Sequence, residues 1–270
     1  LLSSVIDDCL ETGVDVTRGG ARYNLSGIQI IQVANVADSL AALKKLVYDD
    51  GKVSRERLQR ALETDFADDE PLRQLLLNKS PKYGNDVAWV DEIGNSWVSY
   101  FAGKLKGHTN YRGGPYHTGL YTVSAHVPMG ANVGATPDGR KSGQPLADGG
   151  LSAVYGRDRL GPTALLTSVS RVNSAYGSNG TLLNMKFLPR VFQTEHGVNA
   201  FAAMLRGFVK LKINHVQFNV VTRDDLEAAQ RNPDQYRNLT IRVAGYTAYF
   251  TELSKDLQDE IIARTSYDES

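Results

Sequence analysis

Across 270 residues the chain is 41% apolar and 22% charged, which suits one large domain or two small ones with a substantial core. Thirty Lys and Arg balance thirty Asp and Glu, so no charge excess draws the chain to nucleic acid or to an anionic membrane surface. The single cysteine, Cys9, excludes an internal disulfide framework and a cysteine-built zinc or iron–sulfur cage within this chain.

The histidines His108, His117, His126, His196 and His215 show neither i, i+4 pairing nor the acidic clustering of metal ligands. No apolar run approaches membrane-spanning length and no signal peptide opens the chain, so a cytoplasmic protein is expected. The chain begins Leu1-Leu2 in what reads as the middle of a helix, and is expected to be part of a longer polypeptide.

In chain order, Val36, Leu40, Leu43, Leu46 and Val47 recur at helical spacing and predict an amphipathic helix over 36–48, stopped by Asp49-Asp50-Gly51. Ser54 is a cap for a second helix, and Pro71 suits the first turn of a third. Trp89, Ile93, Trp97, Tyr100 and Phe101 mark a fourth. The texture changes at Gly103. Residues 107–157 are glycine-rich, with a β-prone piece at 120–124 and a turn at Thr136-Pro137-Asp138-Gly139-Arg140. Pro162 starts a helix, 181–187 alternates as a strand, 198–209 is helical and 215–221 reads as a buried strand. Thr222 with Asp225 resembles a capping box for a helix ending before Asn232-Pro233, 239–243 is the last predicted strand, and Ser254 caps the closing helix. Strands alternating with helices predict an α/β layer or barrel.

The familiar catalytic motifs are absent: no Walker A loop, no Gly-x-Gly-x-x-Gly, no Gly-x-Ser-x-Gly elbow and no His-Glu-x-x-His. Gly19-Gly20 and Gly113-Gly114 read as tight turns, since neither is followed by the lysine or helix start of a phosphate loop. The informative segment is Thr240-Ile241-Arg242-Val243-Ala244-Gly245-Tyr246-Thr247-Ala248-Tyr249-Phe250, a single glycine between a β-type run and an aromatic run. Taken alone, Gly245 reads as a bend or a close backbone approach. The other reading makes it the reactive residue. A radical on a backbone Cα is stabilised jointly by the adjacent amide nitrogen and carbonyl, and only glycine lets that centre flatten without a side-chain clash.

This segment, together with Asp15-Val16-Thr17-Arg18-Gly19-Gly20-Ala21-Arg22-Tyr23-Asn24, Ala34-Asn35-Val36-Ala37-Asp38-Ser39-Leu40, Lys82-Tyr83-Gly84-Asn85-Asp86, Val133-Gly134-Ala135-Thr136-Pro137-Asp138-Gly139-Arg140, Ser178-Asn179-Gly180-Thr181 and His215-Val216-Gln217-Phe218-Asn219-Val220, resembles the glycyl radical enzymes in matching order along essentially the whole chain. The resemblance points to the glycerol or diol dehydratase and choline trimethylamine-lyase branch rather than to true pyruvate formate-lyase. It implies the carboxy-terminal part of a ten-stranded α/β barrel with a buried glycyl radical loop. The implied division is 1–150, a barrel segment with a helical start, and 151–270, a carboxy-terminal barrel segment with the glycine radical domain.

By the same resemblance Gly245 stores the radical, supported by Arg242, Val243, Ala244, Tyr246, Phe250 and Arg264, with Tyr121 and His126 as pocket-lining candidates. No cofactor or metal is bound; a radical S-adenosylmethionine activase installs the radical, and a homodimer is implied. The thiyl-forming cysteine, with a general-base glutamate in dehydratases, lies in chain upstream of this sequence. Cys9 does not replace it, because its acidic neighbours Asp7, Asp8 and Glu11 raise a thiol pKa. The expected chemistry is radical dehydration or C–N/C–S lysis of a small polyol-like substrate. The alternatives are an acyltransferase of the pyruvate formate-lyase type, an arylacetate decarboxylase, and a replacement radical-domain subunit. Ile28 and Ile30 depart from the dehydratase pattern, which leaves the substrate open.

Overall fold

The computed structural model describes residues 1–268, so the last two positions of the 151–270 segment lie outside it. After a short helix α1 (Cys9–Thr12), strand β1 (Ser26–Gln29) leads into α2 (Val33–Ala42), which continues as a wider π-type turn through 43–49 and stops at the predicted acidic Gly51 turn. Helices α3 (Arg55–Glu63) and α4 (Glu70–Lys79) follow. The Ser54 hydroxyl accepts the Arg57 N–H as the α3 cap, and Pro71 sits in the first turn of α4. The long α5 (Ala88–Leu105) packs back across α2. Their close approach depends on Gly94, where a Cβ would lie 2.9 Å from Val33 Cγ1.

Next comes β2 (Tyr116–Gly119), parallel to β1 with Ser26 opposite Tyr116. The strand predicted at 120–124 therefore lies earlier. Beyond Leu120 the chain turns, with the Ala125 N–H on the Thr122 carbonyl at 2.9 Å and Val123 at φ +54°, into α6 (His126–Ala131). Pairing with β1 decides where the strand sits, and the β-branched run that suggested otherwise is spent on the turn.

The second half alternates as predicted: α7 (Gly161–Arg171), β3 (Asn184–Phe187), α8 (Glu195–Lys210), β4 (Gln217–Val220) and α9 (Arg223–Arg231). The hairpin β5 (Thr240–Arg242) and β6 (Thr247–Tyr249) follows, then α10 (Lys255–Ala263) and β7 (Ser266–Tyr267). β3 pairs parallel with β4 on one side and β7 on the other. The chain just ahead of β3 reaches β2 through a parallel bridge between Leu120 and Thr181. All four β3 residues are buried, as a parallel strand covered on both faces requires. Among the described residues the strands are seven short pieces that form no closed ten-stranded barrel; the architecture they define is mixed α/β.

The largest core runs from Ile30 to Tyr267 and crosses position 150. It contains an aromatic cluster in which Phe187 meets Phe192, Phe201, Phe218 and Tyr267 at centroid distances of 5.3–6.4 Å. A second core gathers Val221, Leu226, Ile241, Val243, Phe250, Leu257 and Ile261 under the β5–β6 hairpin. The turn at 136–140 forms as read, closed by Thr136 N–H to Arg140 O at 3.0 Å, and carries a buried ion cluster besides. Arg157 Nη1 lies 2.7 Å from Asp138 and 3.0 Å from Asp38. No helix among the described residues is long and apolar enough to cross a membrane.

Candidate active site

Gly245 occupies the turn of the β5–β6 hairpin, which the Val243 N–H closes on the Tyr246 carbonyl at 2.9 Å. Its φ of +86° belongs to the left-handed region that side chains resist. A Cβ there would meet Leu182 Cδ1 at 3.3 Å.

The hairpin is fastened to buried polar side chains of the parallel strands β3 and β4. Asn184 and Gln217 face one another in the β3–β4 register, and Asn219, two residues on, shares the face of Gln217. Gln217 Oε1 accepts the Gly245 N–H at 3.1 Å. Asn219 holds Arg242 through both backbone groups, accepting its N–H at 2.9 Å and donating to its carbonyl at 2.8 Å. The Val243 carbonyl accepts from Asn184 Nδ2 at 3.1 Å and from Arg264 Nη1 at 2.8 Å. The side chain of Arg242 instead reaches across the hairpin to the Thr247 hydroxyl at 3.1 Å. Among Asp148, Asn184, Lys186, Asn219 and Arg264 lies a cavity of about 20 Å³, the room needed for a water molecule.

Arg264 is the centre of a buried ionic brace. Its guanidinium grips Glu260 with two bonds of 3.0 and 2.8 Å and approaches Asp148 at 3.5 Å. Beyond it, Glu260 meets His126 Nε2 at 3.1 Å, with both side chains fully buried. Burial alone would raise the Glu260 carboxyl, but the Arg264 guanidinium, assisted by His126, holds it down to about 2. An ordinary glutamate titrates near 4.3, so this folded-state value is depressed. Its contribution to stability is complete above about pH 4.3 and is lost as pH falls toward 2. Melting of the wild type and of Glu260→Gln between pH 7 and pH 2 should show two curves that converge as the pH drops through that window. A constant gap between them would contradict the assignment.

Arg242, Val243, Ala244 and Tyr246 form the hairpin turn around Gly245 and Arg264 reaches the Val243 carbonyl, whereas Phe250 lies at the far end of the hairpin, bonded to the Leu239 carbonyl and packed in the core beneath. Val243, Ala244 and Phe250 are buried. Among the described residues Gly245 itself is exposed, where the expectation is a loop buried in the complete barrel. Leu182 and Gln217 cover one side of the turn, and the described residues leave the other side open. His126 lies inside the brace against Glu260 rather than along a pocket. Tyr121, half-buried in the turn after β2, receives hydrogen bonds on its hydroxyl from Gln29 and Asn179, both at 2.8 Å. Cys9 is buried, and burial followed by Asp15, Asp8 and Glu11 pushes its thiol up. Burial and Arg242 push the His215 imidazole down. The described residues contain no group of three or more His, Cys, Asp or Glu able to hold a metal ion.

Sequence reasoning assigned no role to Asn184, Gln217, Asn219, Asp148 or Glu260. A signal was present for three of them. Asn184 and Lys186 on β3, like Gln217 and Asn219 on β4, put polar side chains at i, i+2 in strands otherwise apolar. One face of each strand must therefore find polar partners.

Comparison with known proteins agrees with this geometry. A family model described as pyruvate formate lyase-like matches residues 1–130, and one described as glycine radical matches residues 147–251, spanning the hairpin. The probable dehydratase YbiW of Escherichia coli is 44% identical over 277 residues, covering 99% of this chain and 34% of that protein. Trans-4-hydroxy-L-proline dehydratase of Clostridioides difficile is 39% identical, covering 98% and 33%. The glycerol-bound B12-independent glycerol dehydratase of Clostridium butyricum superposes with a TM-score of 0.94 at 44% identity, over 99% of this chain and 34% of that one. The chain belongs to the glycyl radical enzyme family. It spans about a third of the length of the relatives it matches.

Proposed function

We propose that Gly245 stores an unpaired electron on its α-carbon, and that this chain is the carboxy-terminal part of a ten-stranded barrel enzyme catalysing radical elimination. The observation that carries the reading is the way Gly245 is held. Its N–H and the carbonyls of Arg242 and Val243 just before it are fastened to buried polar side chains, while its α-carbon stays open to an approaching group.

The approaching group is a cysteine from the remainder of the enzyme. The thiol S–H bond breaks, the hydrogen joins the Gly245 α-carbon, and the unpaired electron moves to sulfur. The thiyl then takes hydrogen from a substrate carbon. The neighbouring hydroxyl leaves as water once a glutamate near that cysteine has moved the necessary proton. The product radical recovers hydrogen from the thiol, and the glycyl radical re-forms. This chain contributes the radical store and its rigid seat, so the hydrogen transfer occurs between positioned partners. A radical S-adenosylmethionine activase is the partner that first removes hydrogen from Gly245, and the assembled enzyme is a homodimer. The hydroxyproline and glycerol dehydratases among its relatives favour a small hydroxylated substrate, and Tyr121, its hydroxyl proton free to donate beyond Gln29 and Asn179, is a candidate to line its pocket.

The test is turnover by the anaerobically activated full-length enzyme on small diols and hydroxylated amino acids, with water release and carbonyl product measured. Elimination from one of them is expected. An activated enzyme that instead transfers an acyl group to coenzyme A and eliminates nothing would place it with the acyltransferases of the family.

A further inference from the structure

We propose that Gln217 is a positioning residue for the radical, aligning and polarising the Gly245 N–H through a chain of buried amides whose direction is set by Asp148. The proposal rests on the reading of Gly245 as the radical site.

The direction of this chain follows from what each group can do. Asp148, as a carboxylate, only accepts. It lies 2.5 Å from Asn184 Nδ2, which also donates to the Val243 carbonyl, another obligate acceptor. Both contacts require the Asn184 amide nitrogen to face them, so its Oδ1 must face the other way. There it accepts from Gln217 Nε2. That contact fixes the Gln217 amide in turn, leaving Oε1 to accept the Gly245 N–H at 3.1 Å. Neither amide can flip without setting donor against donor or acceptor against acceptor. Asp148, Asn184 and Gln217 are all buried, so bulk solvent does not compete for these bonds.

Two consequences follow for a radical at Gly245. Hydrogen bonds linked in one direction polarise one another, and here the chain starts from a negative carboxylate that Arg264 approaches at 3.5 Å. Each amide oxygen toward the hairpin is made more negative, and the last of them pulls on the Gly245 N–H. Electron density at that nitrogen rises, and the nitrogen is the donor half of the pair that stabilises an α-carbon radical. The same bond fixes the plane of the 244–245 peptide, so overlap between that nitrogen and the flattened carbon does not depend on loop motion. Mere tethering of the hairpin would not need this arrangement, since Asn219 and Arg264 already hold its flanking carbonyls.

The experiment uses the anaerobically activated full-length enzyme and electron–nuclear double resonance on its glycyl signal. Wild-type enzyme containing glutamine labelled with carbon-13 at Cδ should show a dipolar coupling between the radical and a glutamine carbon. Gln217→Met should remove that coupling, shift the hyperfine coupling of the radical's own nitrogen, and lower the spin yield about tenfold, the scale of losing a buried hydrogen-bond acceptor. Gln217→Glu, whose buried protonated carboxyl keeps a carbonyl oxygen toward Gly245 and a donor toward Asn184, should restore most of both. A normal wild-type doublet without the glutamine coupling overturns the role of Gln217 even where Gln217→Met fails to fold. So does an unchanged nitrogen coupling in Gln217→Met. The absence of any doublet from the wild type would overturn the reading of Gly245 itself.

Discussion

Arg264→Met is expected to destabilise the protein by about 3–5 kcal/mol, the range for breaking a buried charge pair from one side. The guanidinium is buried and serves three acceptors at once: the Glu260 carboxylate, Asp148 and the Val243 carbonyl. Methionine fills much of the volume and satisfies none of them. Glu260 is then left inside with only His126 beside it, and the carbonyl two residues before Gly245 loses its shorter bond. The loss should appear as a lowered urea midpoint at pH 7. Arg223→Met removes an exposed i, i+4 pair with Glu227 and should leave the midpoint nearly unmoved. A fall in Arg264→Met no larger than that control would mean the brace contributes little to the fold.

The second large effect separates chemistry from stability. Gly245→Ala should abolish turnover in the activated full-length enzyme while leaving the protein folded. The left-handed φ costs an alanine about 1 kcal/mol, and its Cβ would sit 3.3 Å from Leu182 Cδ1, the end of a flexible side chain that can yield. Melting should therefore shift by only a few degrees, as a change of that size does in a protein of this length. Complete loss of activity with so small a structural penalty is the pattern of a residue needed for its α-carbon. Residual turnover above about a thousandth of wild type would assign the radical elsewhere.

Local rules carried the fold a long way. Ser54, Pro71, Thr222 and the acidic stop at Gly51 act where the sequence places them, because caps and stops depend on near neighbours. The position of β2 did not follow from local preference. The 120–124 run has the better β composition, but pairing with β1 selects 116–119, and β1 lies ninety residues upstream. The closing β6 and β7 are three and two residues long, too short for alternation to reveal.

The site divides along the same line. Gly245 and its neighbours were legible as one contiguous segment, and Arg264 through its position near it. The amides that seat the loop come from strands 28 and 61 residues earlier in the chain, as the separations of the Gly245–Gln217 and Gly245–Asn184 positions show. Their alternation in apolar strands showed that each needs a polar partner, but nothing in the sequence named the partner. The exposure of Gly245 was likewise not legible, since it depends on what packs over the turn rather than on the residues that form it.

The most direct measurement is the electron paramagnetic resonance spectrum of the anaerobically activated full-length enzyme, prepared with ordinary glycine and with glycine deuterated at the α-carbon. A radical at position 245 gives a doublet split by its one remaining α-hydrogen. The doublet should collapse toward a single line on deuteration and be missing from Gly245→Ala. A doublet that survives in Gly245→Ala, or an activated wild type with no such signal, would contradict the account.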